Sequence, residues 1–483
     1  MVYIIMQHSS IYLNYIYKIS DANYMFDLLW VCIFAIIGAL FGALTGLVPG
    51  LHVNNLALIL LSISSLVLLA IEFITGNTGT TEFHLVLLCV IIISTSLAHT
   101  FVNFIPAAFL GAPEAETALN VLPAHAMLLE GRGYQATVLS AIGSFGAVVF
   151  SLALLVPFRF VIGNPVNFYR VLQDLMVFIL IGISVLLIYT EHRELPYKRT
   201  VVNGNEVKRV YGTYSRTCGV MLATALFIIS GIFGIIVLEQ VTTSPLGLPS
   251  TPLFPAFCGL FGVATLLYSL LSKPAIPEQQ IEAPIVDKPD TFKSVVTGST
   301  AGAFIGFLPG VTCAHATVLA MLARSTRGGS KNEQVVLTLS AVNTAYAFFA
   351  LVTLFLILRA RTGATLVVKQ LIPIHEWSGI LMPTTLIYLL IAVIITAVVS
   401  FFMTCILGKW FARVFNKVPY RPLVIAIIIF LIVMVFLFTD LFGLLILAVG
   451  TAIGLIAPAF GIRRSHAMGV LLLPIILMLW GTG

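Results

Sequence analysis

Two Pro-Gly dipeptides end two glycine stripes in an otherwise apolar chain. Residues 38–63 read GALFGALTGLVPGLHVNNLALILLSI, and residues 298–323 read GSTAGAFIGFLPGVTCAHATVLAMLA. At one constant offset, Gly38, Gly42, Gly46, Pro49 and Gly50 fall on Gly298, Gly302, Gly306, Pro309 and Gly310. Matches kept in order predict a duplicated chain. Proline removes a backbone donor, and glycine tolerates left-handed backbone. In hydrocarbon the freed groups need partners, so such breaks survive only within protein or beside water. Half-helices restarting near Leu51 and Val311 would aim their N-terminal amides inward, each end carrying about half a positive charge. The chemistry expected is anion binding by backbone, with no Lys or Arg at the midplane.

Polar residues cluster around the breaks. His52, Asn54 and Asn55 follow the first, and Thr312, His315 and Thr317 follow the second. Ser96, His99, Thr100 and Asn103 recur every three to four residues and share one helix face. Ser340, Asn343 and Thr344 echo them, and Leu122-Pro-Ala-His125 is echoed by Ile372-Pro-Ile-His375. Glu114, Glu116 and His125 are candidates for carrying a coupling ion, because ionisable groups within a membrane usually face a cavity. Plainer readings stand beside these. The stripes suit close helix packing, Asn and Thr cap helices, and acids favour a helix N-terminus at the interface. No histidine or cysteine spacing suits a metal, no phosphate-cradling loop is present, and no Ser lies in a G-x-S-x-G context. The expectation is a non-enzyme without cofactor, using Na⁺ or H⁺ at most.

The elements that must hold these residues follow from composition. Of 483 residues, 59% are hydrophobic and 9% charged, with mean hydropathy +1.08. A soluble domain carries roughly 25% charged residues, so a soluble enzyme is excluded. The small net charge of +6 gives no support to nucleic-acid binding. The six cysteines are scattered, as small hydrophobes would be, and no cleavable signal peptide is expected. The predicted fold is an all-α polytopic membrane protein of roughly 10–12 membrane segments. Two inverted-topology repeats each carry a Pro-Gly-broken re-entrant hairpin. The expected division is an interfacial segment 1–27, a first repeat 28–190, a loop, connector hairpin and linker 191–294, a second repeat 295–406, and C-terminal helices 407–483, among them separate spans at 422–438 and 440–458. With loops 191–217 and 407–421 in the cytoplasm, most Lys and Arg fall on one face, as the positive-inside rule asks. A rival topology makes each broken pair a full crossing.

These stretches, together with LGAPEAETALNVLPAHAMLLEGRGYQATVLSAIGSFGA, resemble TctA, the large permease subunit of tripartite tricarboxylate transporters. The likeness covers most of 38–400. It rests on the paired PG stripes, the loop from Gly111 to Glu116, the Leu129–Gly133 stretch and the segment Ala141 to Gly146. Where the family's loop commonly reads P-G-E, this chain has Ala112-Pro113-Glu114, which resembles divergent stand-alone archaeal-type members. The resemblance implies a plasma-membrane permease that moves a small anionic solute, a carboxylate, in symport with Na⁺ or H⁺. It also implies as partners a solute-binding protein and a small membrane subunit, alongside membrane lipid and a second copy of the chain. The alternative is a flippase for a polyprenyl-phosphate-type lipid carrier, since half-helix ends also suit a phosphate head.

Overall fold

The computed structural model describes residues 22–48, 53–76, 80–110, 121–163, 166–189, 191, 200–202, 205–207, 214–245, 247, 251–272, 277–308, 313, 316–317, 320, 332–379, 381–415, 417 and 420–481. The first half contributes α1 (Ala22–Gly46), α2 (Val53–Ser62), α3 (Ser64–Thr75), α4 (Thr81–Val102), α5 (Phe104–Leu110), α6 (Val121–Leu129), α7 (Gly133–Ile162) and α8 (Phe168–Tyr189). A short antiparallel hairpin follows, β1 (Thr200–Val202) on β2 (Asn205–Val207). The connector holds α9 (Tyr214–Leu238), α10 (Leu253–Phe257), a π-helical turn Cys258–Val263 and α11 (Ala264–Ser272). The second half contributes α12 (Lys288–Gly306), α13 (Asn332–Ile357), α14 (Gly363–Leu371) and α15 (Thr384–Phe415). The C-terminal part is α16 (Tyr420–Phe460), a 3₁₀ turn Arg464–Met468 and α17 (Gly469–Gly481).

Among the described residues, eight helices are long and apolar enough to cross a membrane. Leu175–Tyr189 and Leu253–Tyr268 are apolar but shorter. The two spans expected around Asp440 are two helices within α16 that meet at a kink, where Asp440 takes φ 58 and ψ −166. The Asp440 carboxylate accepts from the Leu441 N–H at 2.7 Å there, so the side chain supplies an acceptor within the break. Helix α1 stops at Gly46, and Leu47 and Val48, just before the first Pro-Gly, lie outside the helix.

The glycine stripes are the reason the two central pairs pack so closely. A methyl on Gly38 would lie 2.7 Å from Ile91 O and 2.8 Å from Ser94 Cβ on α4, and one on Gly42 would strike Thr95 O. The second pair repeats this contact by contact. Gly298 faces Thr338 O and Ala341 Cβ of α13, Gly302 faces Val342 O, and Gly306 faces Phe349 Cβ as Gly46 faces Val102 Cβ. This register corrects the sequence echo by about one turn. Ser96 corresponds to Asn343, not Ser340, and His99 corresponds to Tyr346. Small polar residues recur at each turn of both helices, so neighbouring turns look alike in sequence.

The halves are interlocked. Helix α7 of the first half packs on α12 and α13 of the second. There Gly143 abuts Leu337 O, Gly146 abuts Val295, and Ser340 Oγ donates to Ser140 Oγ at 2.8 Å. Helix α15 of the second half packs on α1 and α4 of the first. Its Tyr388 hydroxyl donates to Asp27 at 3.2 Å. Where α7 and α15 meet, Gly408 faces Thr137. The connector packs chiefly against the C-terminal helices. Gly234 sits on Val470 O, Gly259 lies 2.5 Å from Leu447 O as measured to an added methyl, and Gly454 sits on Leu260 O.

Candidate functional site

The polar face of α4 is buried. His99 has no exposed surface, and Asn103 is 2% exposed. His99 Nδ1 lies 3.3 Å from the Thr45 hydroxyl of α1. The same hydroxyl lies 3.1 Å from Gly42 O, one turn back on α1. His99 is thereby oriented by the glycine-striped helix. Its neighbour Thr100 donates to Leu97 O at 2.7 Å, one turn back.

Ser96 and Thr100 face outward from this packed seam into a cleft between α4 and α13. Tyr346, Thr362 and Thr365 add hydroxyls to its wall, which is otherwise apolar, with Ile93, Leu97, Phe348, Leu351 and Val393 among its lining. Thr362 and Thr365 close the start of α14 with reciprocal hydrogen bonds, so the first turn of that helix, its electropositive end, borders the cleft. The adjacent Arg361 is half-buried. Its Nη2 donates to the Tyr169 hydroxyl at 2.9 Å, its guanidinium lies 5.5 Å from that ring's centre, and its carbonyl accepts from the Tyr346 hydroxyl at 3.3 Å. A positive charge is thus held beside a cleft lined by five hydroxyl-bearing residues and the beginning of a helix. Such a lining suits a small anion.

Asn343 and Thr344 are also buried, at 3% and 0% exposure. Asn343 Oδ1 and Thr344 Oγ have no hydrogen-bond partner among the described residues. They lie one turn before the cleft-lining Tyr346 and Ala347 on α13. Asn54 and Asn55 fall in the first turn of α2. Pro49, Gly50, His52, Pro309, Gly310, Thr312, His315, Glu114 and Glu116 lie outside the described residues. His125, on α6, is 8% exposed, and neither ring nitrogen has a partner among the described residues. Burial, then the nearby charge of Arg464, lowers its pKa to about 4, so the ring is neutral at pH 7.

Sequence reasoning missed Arg159, and it gave no partner for Arg132 or for the Leu129–Gly133 stretch. Arg159 near the end of α7 is 6% exposed and donates to Ser378 O at 2.5 Å, tying α7 to the segment after α14. An Arg in an apolar run is itself a signal. At the opposite end of α7, Arg132 pairs with Glu333 in the first turn of α13. The Leu129–Gly133 stretch proves to be a dock. Gly131 adopts φ +77, the Gly133 N–H donates to the Gln279 side chain at 2.9 Å, and the Gln280 N–H donates to Gly131 O at 2.8 Å.

Residues 32–469 match the tripartite tricarboxylate transporter TctA family. The chain belongs to the TctA family. TctA proteins are membrane transporters, not enzymes, and the eight apolar helices accord with a multi-pass membrane protein of that family. The matched span holds both TctA glycine stripes and the whole cleft. A relative from Methanocaldococcus jannaschii, described as an uncharacterised protein, is 26% identical over 454 residues, 92% of this chain and 98% of its own length. No solved structure matches this TctA-family chain.

Proposed function

We propose that the chain is a secondary permease for an organic carboxylate, driven by Na⁺ or H⁺. The cleft between α4 and α13 carries this reading. It joins the two glycine-packed pairs, presents hydroxyls and a helix start, and has Arg361 beside it. Membership of the TctA family favours a carboxylate over a polyprenyl-phosphate lipid. In this reading the two halves have inverted topology, with re-entrant hairpins at the Pro-Gly breaks and 10–12 segments as a rough total. The basic loops face the cytoplasm. Asn343 and Thr344 turn toward cargo when the interlocked helices shift. A solute-binding protein and a small membrane subunit deliver the substrate, as the family pattern suggests.

Purified chain in proteoliposomes, offered labelled di- and tricarboxylates with and without imposed Na⁺ and H⁺ gradients, tests the proposal. Gradient-dependent uptake that drops at least tenfold in Thr100→Val and Arg361→Gln is expected. Absence of flux for the whole panel, with the accessory subunits supplied, would overturn it.

A further inference from the structure

We infer that the α4–α13 cleft selects a carboxylate of at most two negative charges with an apolar body, and disfavours a tricarboxylate. The inference rests on the permease reading above and names the class of its cargo. No charged side chain among the described residues lines the cleft. Its positive charge comes from one residue beside it. The Arg361 backbone N–H donates to the Thr365 hydroxyl at 3.0 Å, and its carbonyl accepts from Tyr346, so the residue is wedged between two side chains of the wall. Its Nη2 is engaged by the Tyr169 hydroxyl, whereas its Nε is buried and has no hydrogen-bond partner among the described residues. A buried donor left unpaired is unfavourable, and an anion beside a guanidinium relieves it. The first turn of α14 adds a second source of positive potential. Ala364 and Thr365 are buried there, and both line the cleft.

Charge sets a limit on the cargo. Arg361 and a helix start of about half a charge sum to about +1.5. One or two carboxylates match that value, and a third leaves about 1.5 negative charges without a partner. Hydrogen-bond donors set the same limit. Each ionised carboxylate brings two acceptor oxygens. The Thr100 hydroxyl lies 2.7 Å from Leu97 O, that of Thr365 2.9 Å from Thr362 O, and that of Tyr346 3.3 Å from Arg361 O. These three hydroxyls thus already have acceptors within the protein. The rest of the wall offers a carboxylate nothing. Leu97, Phe348, Leu351 and Val393 are buried, and with Ile93 they form an apolar surface. An apolar body placed there sheds water from both surfaces, whereas a carboxylate loses hydration without gaining a donor. The class inferred departs from the tricarboxylates named in the family's description.

Saturable thermal stabilisation of the full chain in detergent tests the inference, at matched ionic strength and about pH 8, where carboxyls are ionised. Two pairs of acids separate apolar body from charge. Phenylsuccinate adds a ring to succinate at equal charge, and tricarballylate adds a carboxylate to the middle carbon of glutarate. Apparent affinity is expected to be about tenfold tighter for phenylsuccinate than for succinate, as burial of a ring implies. It is expected to be at least tenfold weaker for tricarballylate than for glutarate. Arg361→Gln should weaken phenylsuccinate binding at least tenfold, and Val393→Thr should narrow the lead of phenylsuccinate over succinate. The wild-type ranking decides the matter if either variant fails to fold. The inference is overturned, with the carboxylate reading intact, if tricarballylate binds as tightly as glutarate or succinate as tightly as phenylsuccinate. It is also overturned if the lead of phenylsuccinate persists in both variants, for the ring then binds elsewhere. Where detergent masks binding, uptake into proteoliposomes with the accessory subunits supplied gives the same ranking. If none of the four acids stabilises the chain and none is taken up, the permease reading and this inference fall together.

Discussion

Replacing Gly38 with alanine places a methyl 2.7 Å from Ile91 O and 2.8 Å from Ser94 Cβ. An ordinary contact begins at 3.4 Å, and the nearer neighbour is backbone that cannot rotate away. Helices α1 and α4 must therefore move apart by several tenths of an ångström along a seam that also includes Gly42 and Gly46. Overpacking of this kind costs about 1–3 kcal/mol. Removing a helical glycine returns about 0.5–1 kcal/mol. The net loss is on the order of 1–2 kcal/mol. Gly182 in α8 is the internal control, since a methyl there meets nothing within 4 Å. Gly182→Ala should be neutral or slightly stabilising. Melting of the two variants in one detergent, followed by size-exclusion recovery, should separate them by several degrees. If Gly38→Ala melts at or above Gly182→Ala, close packing along the stripe is not what holds the pair together.

Other outcomes follow from single contacts. Burial acts to raise the Glu191 pKa, but hydrogen bonds from His466 and Arg463 outweigh it and hold the carboxyl below its ordinary 4.5. Its contribution to stability is therefore full above pH 4.5 and lost as the pH falls through the lower folded value, and Glu191→Gln should flatten that part of a stability–pH curve. Exchanging the charges of Arg132 and Glu333 in a double variant should recover most of the uptake lost in either single reversal, with a coupling of about 1 kcal/mol in a double-mutant cycle. Ser96→Phe should fill the cleft and reduce uptake at least tenfold while shifting the melting point by less than Gly38→Ala does. Equal loss of both would place Ser96 in the packed seam instead.

Much of this was legible in the residues. A glycine stripe can be read because only a missing side chain lets two backbones touch, and both stripes landed where the offset placed them. The polar face of α4 was legible for the same reason, as serine, histidine and asparagine at helical spacing must share a side. The cleft itself was not. Three of its hydroxyls, those of Tyr346, Thr362 and Thr365, come from segments with no motif of their own, and they reach Ser96 and Thr100 only through tertiary packing. The association of connector with C-terminal helices was equally hidden. It depends on isolated glycines such as Gly234 and Gly454, whose partners lie far away in sequence.

The interlock of α7 with α13 has a consequence for how the chain is made. Ser140 meets Ser340 across 200 residues of sequence. At about 5–20 residues per second, the ribosome delivers that partner some 10–40 seconds after α7 leaves the exit tunnel. For that interval a helix bearing Gly143, Ser140 and Ser144 lies in the bilayer without the surface it was shaped to fit. Lipid or an insertase must shield it until the second half arrives. Coexpressed halves cut at the central loop would face the same wait without a tether, and the nascent first half is where quality control has the longest time to act.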